Sequence, residues 1–148
     1  MFPQNIILGD YVYLGPGGMI NAMGGVEICT GTIIGPNFLI LSANHNFNSK
    51  KLVPYDETHI LKKVTIGVGC WIGANVILTP GTTIGKGVII GAGAVVSGII
   101  PDYSIVVGNP AKIIKQRDKE QFDLLISQEA YYLKSKNGGI IKPNFDGI

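Results

Sequence analysis

The chain has 148 residues, of which 21 are glycine, 46% are hydrophobic and 15% are charged. Glycine stands near twice its usual ~7% and charge well below the usual ~25%, a balance that excludes charged helical bundles, coiled coils and disordered charged tails. The length suits a single domain, and a net charge of only +2 gives no overall nucleic-acid-binding character.

From the amino terminus, Met1–Asn5 lacks the basic flank and apolar run of a secretory signal. The first repeat begins within about six residues of Met1, which reads either as a short prism or as a compact variant. Leu8, Leu14 and Ile20 then recur at every sixth position, and after a two-residue insertion around Met23-Gly24 the step resumes at Ile28, Ile34 and Ile40. The uncharged span from Ile28 to Ser49 is broken by Gly31, Gly35, Pro36, Asn37, Asn44 and His45, and makes a poor transmembrane helix. Residues 46–63 interrupt the pattern with Phe47, Pro54, Tyr55, Asp56, Glu57, His59 and four lysines. Inserted loops of this length are ordinarily functional or disordered. The step of six then runs unbroken through Ile66, Ile72, Leu78, Ile84, Ile90 and Val96.

Neighbouring positions keep the same register. Glycine follows the aliphatic residue at Gly9, Gly15, Gly35, Gly67, Gly73, Gly85 and Gly91, with Asn21 in the same place. Three positions after it stand Gly17, Gly31, Asn37, Gly69, Asn75, Gly81, Gly87 and Gly93. Gly and Asn tolerate positive φ, so each unit reads as a short strand ending in a tight corner. Four positions after it come small or β-branched residues such as Val12, Thr32, Cys70, Val76, Thr82, Val88 and Ala94, suited to a crowded interior. A helix does not hold one face at a period of six, and its interior glycines would cost ~1 kcal/mol each. Sandwich strands would place turns every 8–12 residues. Short strands in parallel coils of three, a triangular prism filled by stacked aliphatic side chains, satisfy the pattern. Cys29 and Cys70 read as small buried hydrophobes of a reducing compartment, and a cytoplasmic location follows as the expectation.

Beyond the repeats the composition changes. Asp118 is placed to cap a helix with Phe122, Leu125, Ile126, Glu129 and Leu133 along one stripe, and Asn137-Gly138-Gly139 to stop it. Such a helix would close the last coil, whose edge is otherwise unpaired. Seven of the twelve basic residues lie between Lys112 and Lys142. The expected organisation is therefore a prism over 1–111, with the inserted loop at 46–63, and a helix with a tail over 112–148.

The runs Val64-Thr65-Ile66-Gly67, Trp71-Ile72-Gly73-Ala74, Pro80-Gly81-Thr82-Thr83-Ile84-Gly85, Ile90-Gly91-Ala92-Gly93-Ala94-Val95-Val96 and Gly108-Asn109-Pro110-Ala111-Lys112 resemble the hexapeptide-repeat acyltransferases. The likeness is greatest to the branch of maltose, galactoside and nodulation acetyltransferases and polysaccharide O-acetyltransferases, and it covers about Asn5 to Lys115. It implies an all-β left-handed parallel β-helix, a homotrimer, acetyl-CoA as co-substrate, no metal and a saccharide hydroxyl as acceptor. The hand comes from the resemblance alone, since periodicity does not supply it. Alternatives within the resemblance are N-acetylation of a nucleotide-linked amino sugar and O-acetylation of a xenobiotic. A γ-carbonic-anhydrase-like zinc site would want three histidines, and the chain has two. A non-enzymatic β-helix scaffold would need neither His45 nor the interrupting loop.

Transfer of an acetyl group from a thioester to a hydroxyl needs a base near neutrality, which imidazole supplies. His45, where the coil gives way to the loop and where the resemblance places the family's base, is the candidate, and His59 the rival. Asn44 is a candidate to orient the acceptor or to bond locally in the turn. Asp56 and Glu57 read chiefly as loop-solvating. By resemblance, Trp71 packs beside the acceptor or pantetheine, Ala74 and Ala92 turn backbone amides toward pantetheine, Ser97 lends a hydroxyl, and Lys112 and Lys115 meet the nucleotide phosphates. Where many relatives read Val-Val-Thr-Lys-Asp, this chain has Val96-Ser97-Gly98-Ile99-Ile100, without the lysine.

Overall fold

The computed structural model describes residues 1–137, and in it the chain winds as a parallel β-helix. The first sheet stacks five strands, Ile6–Leu8, Val26–Ile28, Val64–Ile66, Thr83–Ile84 and Ile99–Ile100. The second stacks Tyr13–Leu14, Ile33–Ile34, Trp71–Ile72, Ile89–Ile90 and Ser104–Val107, and the third Met19–Asn21, Leu39–Leu41, Ile77–Leu78 and Val95–Val96. Register confirms the step: Ile66 pairs with Ile84, Ile72 with Ile90 and Leu78 with Val96, eighteen residues apart. The insertion at Met23-Gly24 lengthens the first coil, so that Leu8 pairs with Ile28.

Every aliphatic residue of the period from Ile28 to Val96 is at most 1% exposed, and each fully buried one is worth ~1.5–3 kcal/mol. The first coil differs. Leu8 is half exposed, and Leu14 and Ile20 are only half buried, because no coil lies above them. At the other end the register shortens: Ile84 pairs with Ile100 and Ile90 with Val106, sixteen residues on. Gly98, at φ +72, makes the shorter corner. The Ser97-Gly98-Ile99-Ile100 departure is thus a corner shortened by two residues, and it hides a fifth coil from a reading fixed on the step of six.

The two glycine rows have different causes. All eight Gly and Asn residues three positions after the aliphatic one have positive φ, as the corner requires. None of the residues directly after it does. Those glycines are needed because coils approach closely there: a Cβ on Gly35 would lie 2.7 Å from the Ala74 amide nitrogen, and one on Gly67 2.6 Å from the Gly85 carbonyl carbon.

The prism does not end at residue 111. Lys112–Gln116 is a strand, antiparallel to Ser104–Val107, reached through a turn in which Gly108 takes φ +95. It covers the last edge of the second sheet, a task the sequence assigned to the helix. The expected single helix is two, α1 (Lys119–Ser127) and α2 (Tyr132–Asn137). Asp118 caps α1 by accepting the Gln121 amide at 2.9 Å. Glu129, at φ +50, breaks the stripe, and its carboxylate pairs with Lys134. Gly138-Gly139 and the tail to 148, Lys142 included, lie outside the described residues.

Both helices strap the corner between the first and second sheets, where the positive-φ row reads Tyr11, Gly31, Gly69, Gly87, Tyr103. The glycines leave seats for rings. A Cβ on Gly31 would lie 2.2 Å from the Tyr131 ring, and one on Gly87 3.0 Å from Phe122. Tyr11 stacks on Tyr131 at 5.8 Å, and Tyr103 meets Phe122 edge-on at 5.7 Å. The tyrosines accept a left-handed backbone that costs most residues ~1–2 kcal/mol, and each gains an aromatic contact with the strap.

Asp123 fastens the strap by accepting Lys86 Nζ at 2.9 Å and the Tyr103 hydroxyl at 2.9 and 3.0 Å. The Lys86 bond, and then that from Tyr103, hold its carboxyl below the usual range against opposing desolvation. A depressed carboxylate pKa stabilises the fold above the unfolded value, ~3.9, and that contribution disappears as pH falls through the folded value. The wild-type thermal midpoint is therefore expected to fall more steeply than that of Asp123→Asn from about pH 5 to pH 2, read by near-ultraviolet circular dichroism. Parallel curves would refute the assignment.

Candidate active site

The inserted segment is more than a loop. Ala43–His45 pairs antiparallel with His59–Leu61, setting Ala43 against Leu61, Asn44 against Ile60 and His45 against His59. Chain leaving the prism must find partners for its backbone groups, and a two-stranded ribbon supplies them. His59, the rival candidate, is an exposed ribbon residue facing His45. At the ribbon tip Asp56 is buried, accepting Asn46 Nδ2 at 3.1 Å and the Thr58 amide at 2.9 Å. The Thr58 amide bond is the chief reason its carboxyl titrates below the usual range. Glu57 is exposed beside Lys51 at 3.9 Å, as expected of a loop-solvating residue; Asp56 instead organises the tip.

Side chains alternate across a ribbon. His45 and His59 share one face, with ring centroids 4.9 Å apart, and Tyr55 stacks on His45 at 3.8 Å with 14° between the planes. Asn44 and Ile60 take the other face and line a hollow of about 280 Å³ with Phe47, Lys62, Thr79 and Pro80. Asn44 Oδ1 accepts the His45 backbone amide at 2.9 Å, so the local bond is the observed one.

Trp71, Ala74 and Ala92 come together elsewhere, along the corner between the second and third sheets. With Gly35, Pro36, Gly73, Ile89, Ile90 and Gly91 they line a groove of about 450 Å³. Trp71 lies outward between Ile33 and Ile89, 58% exposed. Among the described residues, the amides of Ala74 and Ala92 donate to no protein carbonyl. The strands they follow are paired neighbours, which sets the two amides one coil apart, about 4.8 Å. One coil earlier the same place holds Pro36, which has no N–H, so the row of free donors begins at Ala74. The sequence contains that pattern, but it becomes meaningful only once the coils are stacked.

Ser97 is exposed at the corner between the third and first sheets, and Lys112 and Lys115 are exposed on the final antiparallel strand. No described acidic residue pairs with either lysine. Arg117, by contrast, is engaged, donating to the Gly87 carbonyl at 3.2 Å and packing on Phe122 at 4.9 Å. Cys70 is buried as expected, its thiol pushed up to about 12 chiefly by burial, whereas Cys29 is only half buried. Among the described residues no group of three or more His, Cys, Asp or Glu is placed to hold a metal, and no helix is long and apolar enough to cross a membrane. One chain therefore carries His45 and the free-amide groove at different corners.

A family model for the bacterial transferase hexapeptide (six repeats) matches residues 63–98. An Escherichia coli K12 protein named as a lipopolysaccharide-biosynthesis O-acetyl transferase, WbbJ, is 36% identical over 80% of this chain and 61% of its own. A maltose O-acetyltransferase from Clostridium difficile 630 superposes with a TM-score of 0.71 at 34% identity, over 78% of this chain and 60% of the other. A hexapeptide-repeat acetyltransferase from Vibrio cholerae, in complex with acetyl coenzyme A, superposes with a TM-score of 0.72 at 26% identity, over 79% and 63%. The chain thus spans about three fifths of the length of each of these proteins. Repeat, coil and corner chemistry agree with these likenesses: the chain carries bacterial transferase hexapeptide repeats over residues 63–98 and is similar to hexapeptide-repeat acetyltransferases.

Proposed function

We propose that this protein transfers an acetyl group from acetyl-CoA to a hydroxyl of a sugar in a surface polysaccharide or its precursor, with His45 as general base. The observation that carries the reading is the pair of unpartnered amides at Ala74 and Ala92 on an apolar groove beside Trp71. Pantetheine is an apolar strand with two amide carbonyls, and a row of donors along a narrow groove matches it. The likeness to the WbbJ and maltose proteins and to the Vibrio cholerae acetyl-CoA complex supports both co-substrate and acceptor class. In the reaction, the imidazole of His45 takes the hydroxyl proton as the oxygen bonds to the thioester carbon. The tetrahedral intermediate collapses by breaking the C–S bond, and the imidazolium returns the proton to the departing sulfur. Lys112 and Lys115 act as point charges on the nucleotide phosphates, Ser97 adds a hydroxyl along the carrier, and Asn44 sets the ribbon beside the acceptor.

His45 and the groove sit on different corners of one chain, so the reading includes a homotrimer in which the ribbon of one copy meets the groove of the next. The groove corner is bordered by apolar outward faces, Ile33, Trp71 and Ile89 on the second sheet and Met19, Leu39, Ile77 and Val95 on the third. An apolar border of this kind, with Trp71 and Met19 exposed, is what a further copy would cover, and it supports the assembly. Sedimentation is expected to give three chains per particle. Calorimetry is expected to show CoA binding, and thiol release from acetyl-CoA is expected to rise with methyl glycosides. Faster release with amino sugars alone would turn the reading to N-acetylation; no CoA binding would overturn it.

A further inference from the structure

We propose that Tyr55 is the positioning residue of His45, holding the imidazole by ring stacking where a general base is ordinarily held by a hydrogen bond to a carboxylate or carbonyl. The inference rests on the reading of His45 as base. Centroids 3.8 Å apart and planes within 14° put the phenol ring flat against the imidazole. The His59 ring, 4.9 Å away and tilted by 44°, bounds the same space. Among the described residues no side-chain hydrogen bond engages either ring nitrogen of His45; its only polar contacts are through the backbone.

A histidine exposed on a two-stranded ribbon would otherwise exchange rotamers freely. Transfer chemistry tolerates little of that, since reacting atoms must be held within ~3–3.5 Å. Stacking fixes the plane of the imidazole and leaves its rim, with both nitrogens, unengaged. One nitrogen is then available to the acceptor hydroxyl and, after rehybridisation of the thioester carbon, to the sulfur.

Tyr55 is itself held. Its neighbour Asp56 is buried and ties the two ends of the tip together, accepting Asn46 Nδ2 at 3.1 Å and the Thr58 amide at 2.9 Å. Asn46 directly follows His45. A chain of support thus runs from Asn46 and Thr58 through Asp56 to Tyr55 and onto the imidazole. The Tyr55 hydroxyl bonds to no described residue, so the ring face and not the oxygen does the positioning. The inserted segment, otherwise an interruption of the prism, becomes the device that orients the base.

The test uses the full chain and its Tyr55→Leu and Tyr55→Phe variants, with His45→Ala as control. Two quantities are read: thiol release from acetyl-CoA with methyl glucoside as acceptor, and the proton resonances of the His45 ring. In the wild type those resonances are expected upfield of a free imidazole, because they lie over an aromatic face. Tyr55→Leu is expected to move them downfield and to lower kcat about tenfold, with KM for acetyl-CoA within about twofold. Tyr55→Phe is expected to restore both. Wild-type resonances at the free position overturn the proposal whatever the variants do, as does a Tyr55→Leu enzyme with unchanged kcat. An inactive His45→Ala beside a fully active Tyr55→Leu defeats the positioning role alone. A fully active His45→Ala defeats the base assignment itself.

Discussion

His45→Ala is expected to lower turnover by roughly 10²–10⁴-fold, the usual contribution of a general base to proton transfer in a transition state. The side chain is exposed on the ribbon and contributes nothing to the buried stack, so the variant should keep the thermal midpoint of the wild type. CoA affinity should also hold, because the groove at Ala74 and Ala92 lies on another corner. The measurement is thiol release at saturating acetyl-CoA, with calorimetry on the same preparation. Loss of turnover with binding intact assigns a role in the chemical step; loss of both would mean that the ribbon helps to hold the carrier. A His59→Ala variant separates the two rings. If the base is His45, removal of His59 should cost far less, since that ring only bounds the space around the imidazole.

Much of the fold was legible because hexapeptide corners write their requirements locally. A positive φ must fall on Gly or Asn, and an interior layer must be Ile, Leu or Val, so Gly69, Asn75 and Ile72 announce their positions without reference to anything distant. The readings that went astray depended on partners far along the chain. Gly35 and Gly73 look like further turn residues until the neighbouring coil is placed against them. The strand Lys112–Gln116 has a basic, exposed sequence, and only the open edge of Ser104–Val107 makes it a strand. Tyr11 and Tyr103 break the Gly/Asn rule because Tyr131, between the helices, and Phe122, in α1, supply ring contacts that no six-residue window contains.

The site divides the same way. His45 could be named as a candidate by chemistry, as an imidazole at the point where the coil is interrupted. What holds it could not. Tyr55 is ten residues away, and its stacking exists only because the segment folds back as a ribbon and Asp56 turns inward. Nor does any spacing bring His45 to Ala74, since the coil sends the two to different corners. A sequence can name candidate residues more readily than it can show which corners of the coil they occupy.

Gly73→Ala is expected to destabilise the fold by about 3 kcal/mol, at the upper end of the usual range for forcing extra volume into packed structure. The added methyl would lie 2.6 Å from the Ala92 nitrogen, 2.9 Å from its Cα and 3.0 Å from the Gly91 carbonyl carbon, all of them backbone. Neither side can retreat. The Gly73 amide donates to the Ile90 carbonyl at 2.8 Å, and Trp71 and Ile72 are paired both to the coil above and to the coil below. Adjacent coils are held about 4.8 Å apart by those bonds, so a methyl between them must break the ladder or bend it. Gly93→Ala is the matched comparison. Gly93 has φ +73, yet its added methyl would meet nothing within 4 Å, so only the backbone strain of ~1–2 kcal/mol applies. Urea denaturation of both variants without ligand should rank Gly73→Ala well below Gly93→Ala, although Gly73 has the ordinary φ and Gly93 the unusual one. Equal midpoints would mean that φ alone governs these corners and that the coils have room to separate.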